Sequence, residues 1–378
     1  MSRMKIDAFT HIFPKAYWER MLQVLPDGRD MNKRVRAIPS IVDLDARFRI
    51  MDEFGGEYRQ VLTLGSPPVE ALGGKEAAVE LAKIANDGMA ELVSRHPERF
   101  FGFAASLPMN DVEAALRETE RAIERLGALG VQVFTNVNRR PLYTPETWPL
   151  FDLMARYDLP MWMHPARGAE VADYAGEKKS HYEIWWTLGW PYETSVAMAH
   201  MVFGGLYERH PGFKLVTHHM GGMIPYFEGR VGPGWDQLGT RTSDEDYKPI
   251  IENMMRKGKR PVDYLRCFYA DTALFGAHQA TKCGLRFFGV ERVLFGSDAP
   301  FDPEGGRRYI RDTIEIIERL DLAPAERRAI YEDNLRRLCR RGEESDSRTK
   351  RSSAGSSMKP AAQSAAKMRS GASGRATA

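Results

Sequence analysis

Cysteine is scarce in this chain of 378 residues: Cys267, Cys283 and Cys339 are the only three, and none stands at metal-binding spacing from another. That excludes a disulfide framework and fits a reducing, cytoplasmic compartment. Long apolar runs are missing as well. No segment approaches the ~18 uninterrupted apolar residues that a membrane span needs, and the opening MSRMKIDAF has no signal-peptide core. No Gly-rich phosphate loop follows the first apolar run, so the signature of a dinucleotide-binding sheet is lacking. No internal repeat is present. Charge of one sign is lacking where it would matter. The net charge is +3, but the stretch from Glu343 to Ala378 holds seven Lys or Arg against three Asp or Glu, so the residues before it carry −1. A basic face for nucleic acid is not what such a body presents. The tail itself, residues 343–378, is Ser-, Ala-, Lys- and Arg-rich and too poor in large apolar residues to offset the entropy of ordering, so it reads as a disordered extension.

What is present is a composition that buries a large core, 43% hydrophobic and 28% charged. Eight short apolar runs stand out: KIDAFTH from Lys5, RQVLTLG from Arg59, FFGFAASL from Phe100, GVQVFTN from Gly130, PMWMHP from Pro160, KLVTHH from Lys214, FYADT from Phe268 and VLFGSD from Val293. Between most of them lie helical patterns, over Glu76 to Val93, Asn110 to Leu126, Arg307 to Leu320 and Pro324 to Leu338. Asn110 with Glu113 resembles a capping box. Strands that read as buried on both faces and alternate with helices predict a parallel sheet, and eight of them predict a closed (β/α)8 TIM barrel over residues 1–342. The segments from Asp27 to Arg47 and from Val231 to Arg260 read as insertions over one end of that barrel.

Chemistry in such barrels gathers at the carboxyl ends of the strands. There the sequence places His11, His164, the pair His218–His219, and Asp298. Imidazoles and a carboxylate converging on one mouth suit a divalent metal. The first and eighth runs are neighbours in a closed barrel, which sets His11 beside Asp298. His96 and His210 close helical stretches and read as structural. Side chains alternate along a strand, so only one of His218 and His219 is expected to face the interior, and the pattern does not say which. Two residues before His11 stands Phe9, which offers no donor atom. Aromatic surface surrounds the mouth: Trp162 in register with His164, then Trp185, Trp186, Trp190 and Tyr192. A flat apolar ligand fits such walls, with Phe9, Trp162 and Trp190 as candidate contacts. Arg167 is the candidate partner for a substrate carboxylate, or equally for a structural ion pair.

The set FTH, then HP after the fifth run, HHMGG and GSDAP, resembles the amidohydrolase superfamily, and within it the aminocarboxymuconate-semialdehyde decarboxylase-like family, from about Met4 to Arg341. The resemblance implies that His11, His164 and Asp298 bind one divalent metal, zinc first and manganese second. It selects His219 over His218 as an acid/base group, alongside Asp298. Relatives commonly carry His or Glu where Phe9 stands, so the site is expected to be trimmed by one ligand, with Asp7 supporting it from behind. The implied activity is non-oxidative decarboxylation of a small aromatic or muconate-like acid by a homodimer. The alternative is metal-dependent hydrolysis of an amide, lactone or related bond, and a third reading is a barrel that binds a ligand or partner without turnover.

Overall fold

A computed structural model describes residues 4–25 and 30–340 of the chain. Among these residues ten strands form: β1 (Lys5–Ile12), β2 (Tyr58–Leu64), β3 (Phe100–Ser106), β4 (Gly130–Phe134), β5 (Asn136–Val137), β6 (Arg140–Pro141), β7 (Met161–His164), β8 (Leu215–Thr217), β9 (Tyr269–Asp271) and β10 (Val293–Leu294). Eight of them make one parallel sheet in the order β1-β2-β3-β4-β7-β8-β9-β10. The sheet closes through backbone bonds between its ends: Ala8 N–H donates to the Phe295 carbonyl (2.7 Å) and His11 N–H to that of Ala299 (2.7 Å). The (β/α)8 barrel expected from the alternation is therefore the architecture found. The pair β5-β6 is a small antiparallel hairpin outside it.

The strands read as uninterrupted apolar runs because helices cover their outer face while side chains fill their inner one; all five residues of β4 are buried. Helices at Lys75–Arg95, Val112–Glu124, Trp148–Tyr157, Gly189–Phe203, His278–Phe288 and Arg307–Arg319 surround the sheet. The second of these starts two residues later than Asn110. Its cap is Asp111, whose side chain accepts from the Ala114 amide (3.0 Å), because the acid sits at the position that reaches the third helical N–H. The closing helical stretch widens by one π turn at Ala329–Asp333 before ending at Leu338.

A compact cluster of Phe9, Val61, Ala104, Trp162, Val216 and Leu294 lies beneath the strand ends. Trp162 Nε1–H donates to the Ala8 carbonyl (3.0 Å), and since β7 and β1 are not neighbours in the sheet, that bond crosses the barrel interior. Gly130 leaves room for the indole; a Cβ there would lie 2.9 Å from the Trp162 ring and 2.0 Å from the Pro160 carbonyl. Of the insertion read from Asp27 to Arg47, the residues before Asp30 lie outside the described ones, and the rest reaches the end of β1. Its buried Arg47 donates to the His11 carbonyl (2.7 Å) and to Thr10 Oγ1 (3.1 Å), pinning the end of β1. No helix among the described residues is long and apolar enough to cross a membrane. The tail from Glu343 lies outside the described residues.

Candidate active site

His11 comes from the end of β1, His164 from the end of β7, His218 and His219 directly follow β8, and Asp298 lies in the loop after β10. One nitrogen from each of His11, His164 and His218, and one Asp298 oxygen, all lie within 4.8 Å of one another. His11 and His218 are fully buried, and His219, the most exposed of the five, shows only 7% of its surface. Asp298 is aimed by its own backbone, at φ 66°, and by the turn before it. There Asp7 accepts from Ser297 N–H (2.9 Å), from the Ser297 hydroxyl and from the Tyr58 hydroxyl (2.7 Å). Burial pushes the Asp7 carboxyl up to about 6 despite those donors. Asp7 thus props the loop that carries Asp298.

The hydrogen-bond network assigns the tautomers. His164 Nδ1 lies 2.7 Å from the Pro165 carbonyl, which only accepts, so Nδ1 carries the proton. The Thr63 hydroxyl donates to the Thr10 carbonyl (3.0 Å), so it must accept from His11 Nδ1 at 2.9 Å. His218 Nδ1 donates to Asp271. All three rings commit Nδ1–H to an acceptor, which leaves Nε2 as the remaining donor atom of each. His11 Nε2 stands 3.0 Å and His218 Nε2 3.3 Å from Asp298 Oδ1, yet neither contact has hydrogen-bond geometry, and both nitrogens are buried without a hydrogen-bond partner.

The electrostatics agree. Burial, with the neighbouring imidazoles, holds His164 well below the ordinary histidine range, and burial lowers His11 and His219. Burial alone would lower His218 too, but the Asp271 carboxylate outweighs it and lifts His218 to about 9. Burial alone would raise Asp298, but the three imidazoles around it hold its carboxyl well below the usual range. A dry ring of donor atoms around a carboxylate is stable only with positive charge at its centre, supplied by a proton on His218 or by a cation. Buried donors without partners, imidazole nitrogens joined by one carboxylate, fit a divalent transition metal.

The expected residues fare differently. His11, His164 and Asp298 come together as read, and His219 lies beside them, Nε2 3.6 Å from Asp298 Oδ2. The expectation that only one of the adjacent histidines turns inward is corrected. His218 is extended (φ −78°), whereas His219 has φ 54°, and this reversal swings both rings to the same side, centroids 3.8 Å apart. Trp190 packs edge-on against His164 (5.3 Å) and over His219 (6.5 Å). Trp162 is not a substrate contact: it is fully buried below the site, because a ring that size fills the barrel and its N–H is committed across it. Phe9 is not a pocket wall either. It is fully buried and stacks on His218, centroids 4.0 Å apart, so it forms the floor of the cluster. Arg167 is taken by Glu193 (3.1 Å) and lines a separate cavity of about 650 Å³, which also reaches Asn136, Arg139 and His200.

Two groups escaped the sequence reading. Asp271, in the FYADT run, is the last residue of β9 and could have been found by the same strand-end rule. Arg34, inside the insertion, had no local signal. Its guanidinium lies over Trp186 (4.8 Å) and Phe301 (5.3 Å) and donates to the Phe301 carbonyl. Arg34, Trp186, Phe301 and Tyr309 line a cavity of about 720 Å³. Phe301 separates Arg34 from His11, with centroids of the two rings 5.2 Å apart. On the far side Phe275 stacks on Tyr309 (4.2 Å) and meets His219 edge-on (5.5 Å). Aromatic rings thus cover the cluster, and the Arg34 guanidinium packs on one of them, Phe301.

The amidohydrolase family model matches residues 6–341 of the chain. A gamma-resorcylate decarboxylase of Polaromonas sp. (strain JS666) is 31% identical over 306 residues, 78% of this chain and 86% of that protein. The 2-amino-3-carboxymuconate-6-semialdehyde decarboxylase of Dictyostelium discoideum is 30% identical over 318 residues, 79% of this chain and 82% of that one. Among solved structures, the dihydroxybenzoic acid decarboxylase of Polaromonas sp. JS666, with bound manganese and the inhibitor 2-nitroresorcinol, matches 89% of this chain and 97% of its own. Its TM-score is 0.69 and its identity 27%. The 2,6-dihydroxybenzoate decarboxylase from Rhizobium, at TM-score 0.71 and 24% identity over 89% of this chain and 99% of its own, bears on the fold alone.

Proposed function

The chain belongs to the amidohydrolase family, and from that premise we propose that it is a metal-dependent, non-oxidative decarboxylase of a small aromatic acid. The observation that carries the reading is the dry cluster of inward-facing imidazole nitrogens and Asp298 under a roof of aromatic rings, on one of which, Phe301, Arg34 packs. Decarboxylases among its relatives supply the reaction class.

His11, His164 and Asp298 would hold the ion. A divalent cation held there would supply Lewis-acid stabilisation of the negative charge that develops as the bond breaks. Trp190 and Phe275 offer flat apolar surface beside His219 and suit a planar ring. Arg34 holds an anionic substituent by charge-assisted hydrogen bonds. A proton must reach the ring carbon as its bond to the carboxylate breaks and carbon dioxide leaves. His219 and Asp298, 3.6 Å apart, form the relay that holds and delivers it. Phe301 and Trp190, the buried rings of that roof, keep bulk water away from the carbanion-like centre.

Nitrogen-rich ligands support zinc as the ion, while manganese is what the Polaromonas structure contains. A homodimer is supported by the family likeness, and a reducing cytoplasmic compartment by the three unpaired cysteines. The test loads purified protein with zinc or manganese and offers a panel of hydroxybenzoates carrying a 13C-labelled carboxylate. Labelled carbon dioxide from one of them, absent after chelation, is the expected result. No label released from any acid, together with cleavage of amide or lactone analogues, would replace this reading by the hydrolase.

A further inference from the structure

We infer that His218 is itself a metal ligand, so that the centre takes three imidazoles and one carboxylate, with Phe9 acting as the platform behind the third ring. The inference deepens the metal-dependent reading and rests on it.

β1 sends two side chains toward the centre, and only His11 carries a donor atom. Phe9 lies flat against His218, with rings 4.0 Å apart and 21° from parallel, and so fixes the plane of that imidazole. Its edge is fixed by Asp271, which accepts from Nδ1. Asp271 cannot rotate away, because its other oxygen accepts from the amides of His219 (3.0 Å) and Ala273 (3.0 Å). Two constraints at right angles leave His218 Nε2 aimed inward, within the 4.8 Å set. A carboxylate behind an imidazole also makes it a better donor to a metal. His219 has none of this support. Its Nδ1 is buried without a hydrogen-bond partner, and it stands outside the four-atom set. Of the adjacent pair, one is built to ligate and the other is left to move a proton.

The test measures zinc and manganese binding by titration and elemental analysis in the wild type and in His218→Ala, Asp271→Asn and His219→Asn. Residues that merely support a ligand carry about 10- to 100-fold in metal affinity. We expect one metal per wild-type chain, a loss of more than about 100-fold in His218→Ala, a loss within about 10- to 100-fold in Asp271→Asn, and a change below about threefold in His219→Asn. A crystal structure of the metal-loaded wild type keeps the test open if His218→Ala does not fold; for zinc it should show His218 Nε2 at about 2.0–2.1 Å. A metal bound in the wild type with His218 Nε2 beyond bonding distance, or retained unweakened by His218→Ala, overturns this inference and leaves the proposed reaction standing. A wild type that takes up no metal overturns both.

Discussion

Replacing Arg34 by Met removes the guanidinium that packs on Phe301, the ring beside His11, while keeping most of its apolar bulk. The substrate term is the loss of a charge-assisted hydrogen bond to an anionic group, about 1.5–3 kcal/mol, or roughly 10- to 150-fold in kcat/KM. The folding term is smaller. Arg34 gives up its bond to the Phe301 carbonyl and two cation–π contacts at a half-buried position, together about 1–2 kcal/mol. Arg34→Lys keeps the charge but loses the planar fork and much of its stacking on Trp186, so it should fall between wild type and Arg34→Met. The control is Arg167→Met, which breaks the ion pair to Glu193 at 3.1 Å. It should cost about 1 kcal/mol of stability and leave kcat/KM within about threefold. The assay is initial-rate carbon dioxide release against acid concentration, with urea unfolding run alongside. Unchanged kcat/KM in Arg34→Met together with a large loss in Arg167→Met would rule out Arg34 as the anchor and return that role to the 650 Å³ cavity.

Trp162→Phe strands the Ala8 carbonyl and opens a void in the barrel floor, so it should cost about 2–4 kcal/mol in urea unfolding with KM unchanged; a raised KM at full stability would put the indole back in the pocket. Burial pushes Glu70 up from 4.5 to about 8, and neither of its oxygens has a hydrogen-bond partner. The folded state therefore holds that proton more tightly than the unfolded state between those values, and stability present below about 4.5 is lost as pH rises through about 8. Glu70→Gln should raise Tm over wild type increasingly from pH 6 to pH 9, and parallel Tm curves for the two proteins would disprove it. Removing the metal with a chelator should abolish carbon dioxide release and lower stability by about 4 kcal/mol relative to protein in metal at a thousand times its Kd; equal Tm with and without metal would argue against a site that binds only the folded chain.

The barrel was legible because its strands are buried on both faces. Each of the eight apolar runs begins within two residues of an observed strand, from Lys5 for β1 to Val293 for β10. The strand-end rule then located His11, His164 and Asp298, since only a polar side chain with a partner survives at such a position. Depth along a strand was not legible. Trp162 and His164 share a face, but two residues of rise separate the mouth from the floor, and the larger ring belongs to the floor. The two arginines show a second limit. Arg167 follows a site histidine in sequence and is held by Glu193, whereas Arg34 is 130 residues upstream of His164 and reaches the roof through an insertion folded over the strand ends.

HHMGG shows how local backbone chemistry overrides strand periodicity. β8 ends at Thr217, His218 continues it in an extended conformation, and the chain then reverses through His219 and Met220 at φ 54° and 52°. Two bulky residues held there are costly, and the glycines that follow make the turn feasible. Gly221 and Gly222 continue at φ 74° and 64°, where a Cβ would lie 2.6 Å from the Phe288 ring and 2.3 Å from the Pro191 carbonyl. The reversal brings His219 round beside His218, and Asp271 secures the arrangement by accepting from the ring of one and the amide of the other. The motif is therefore one physical device: two imidazoles are set side by side and referenced to the same carboxylate. Under the roles proposed above, a ligating His218 and a proton-moving His219 would thereby be held at a more closely fixed distance than two separate strands could give.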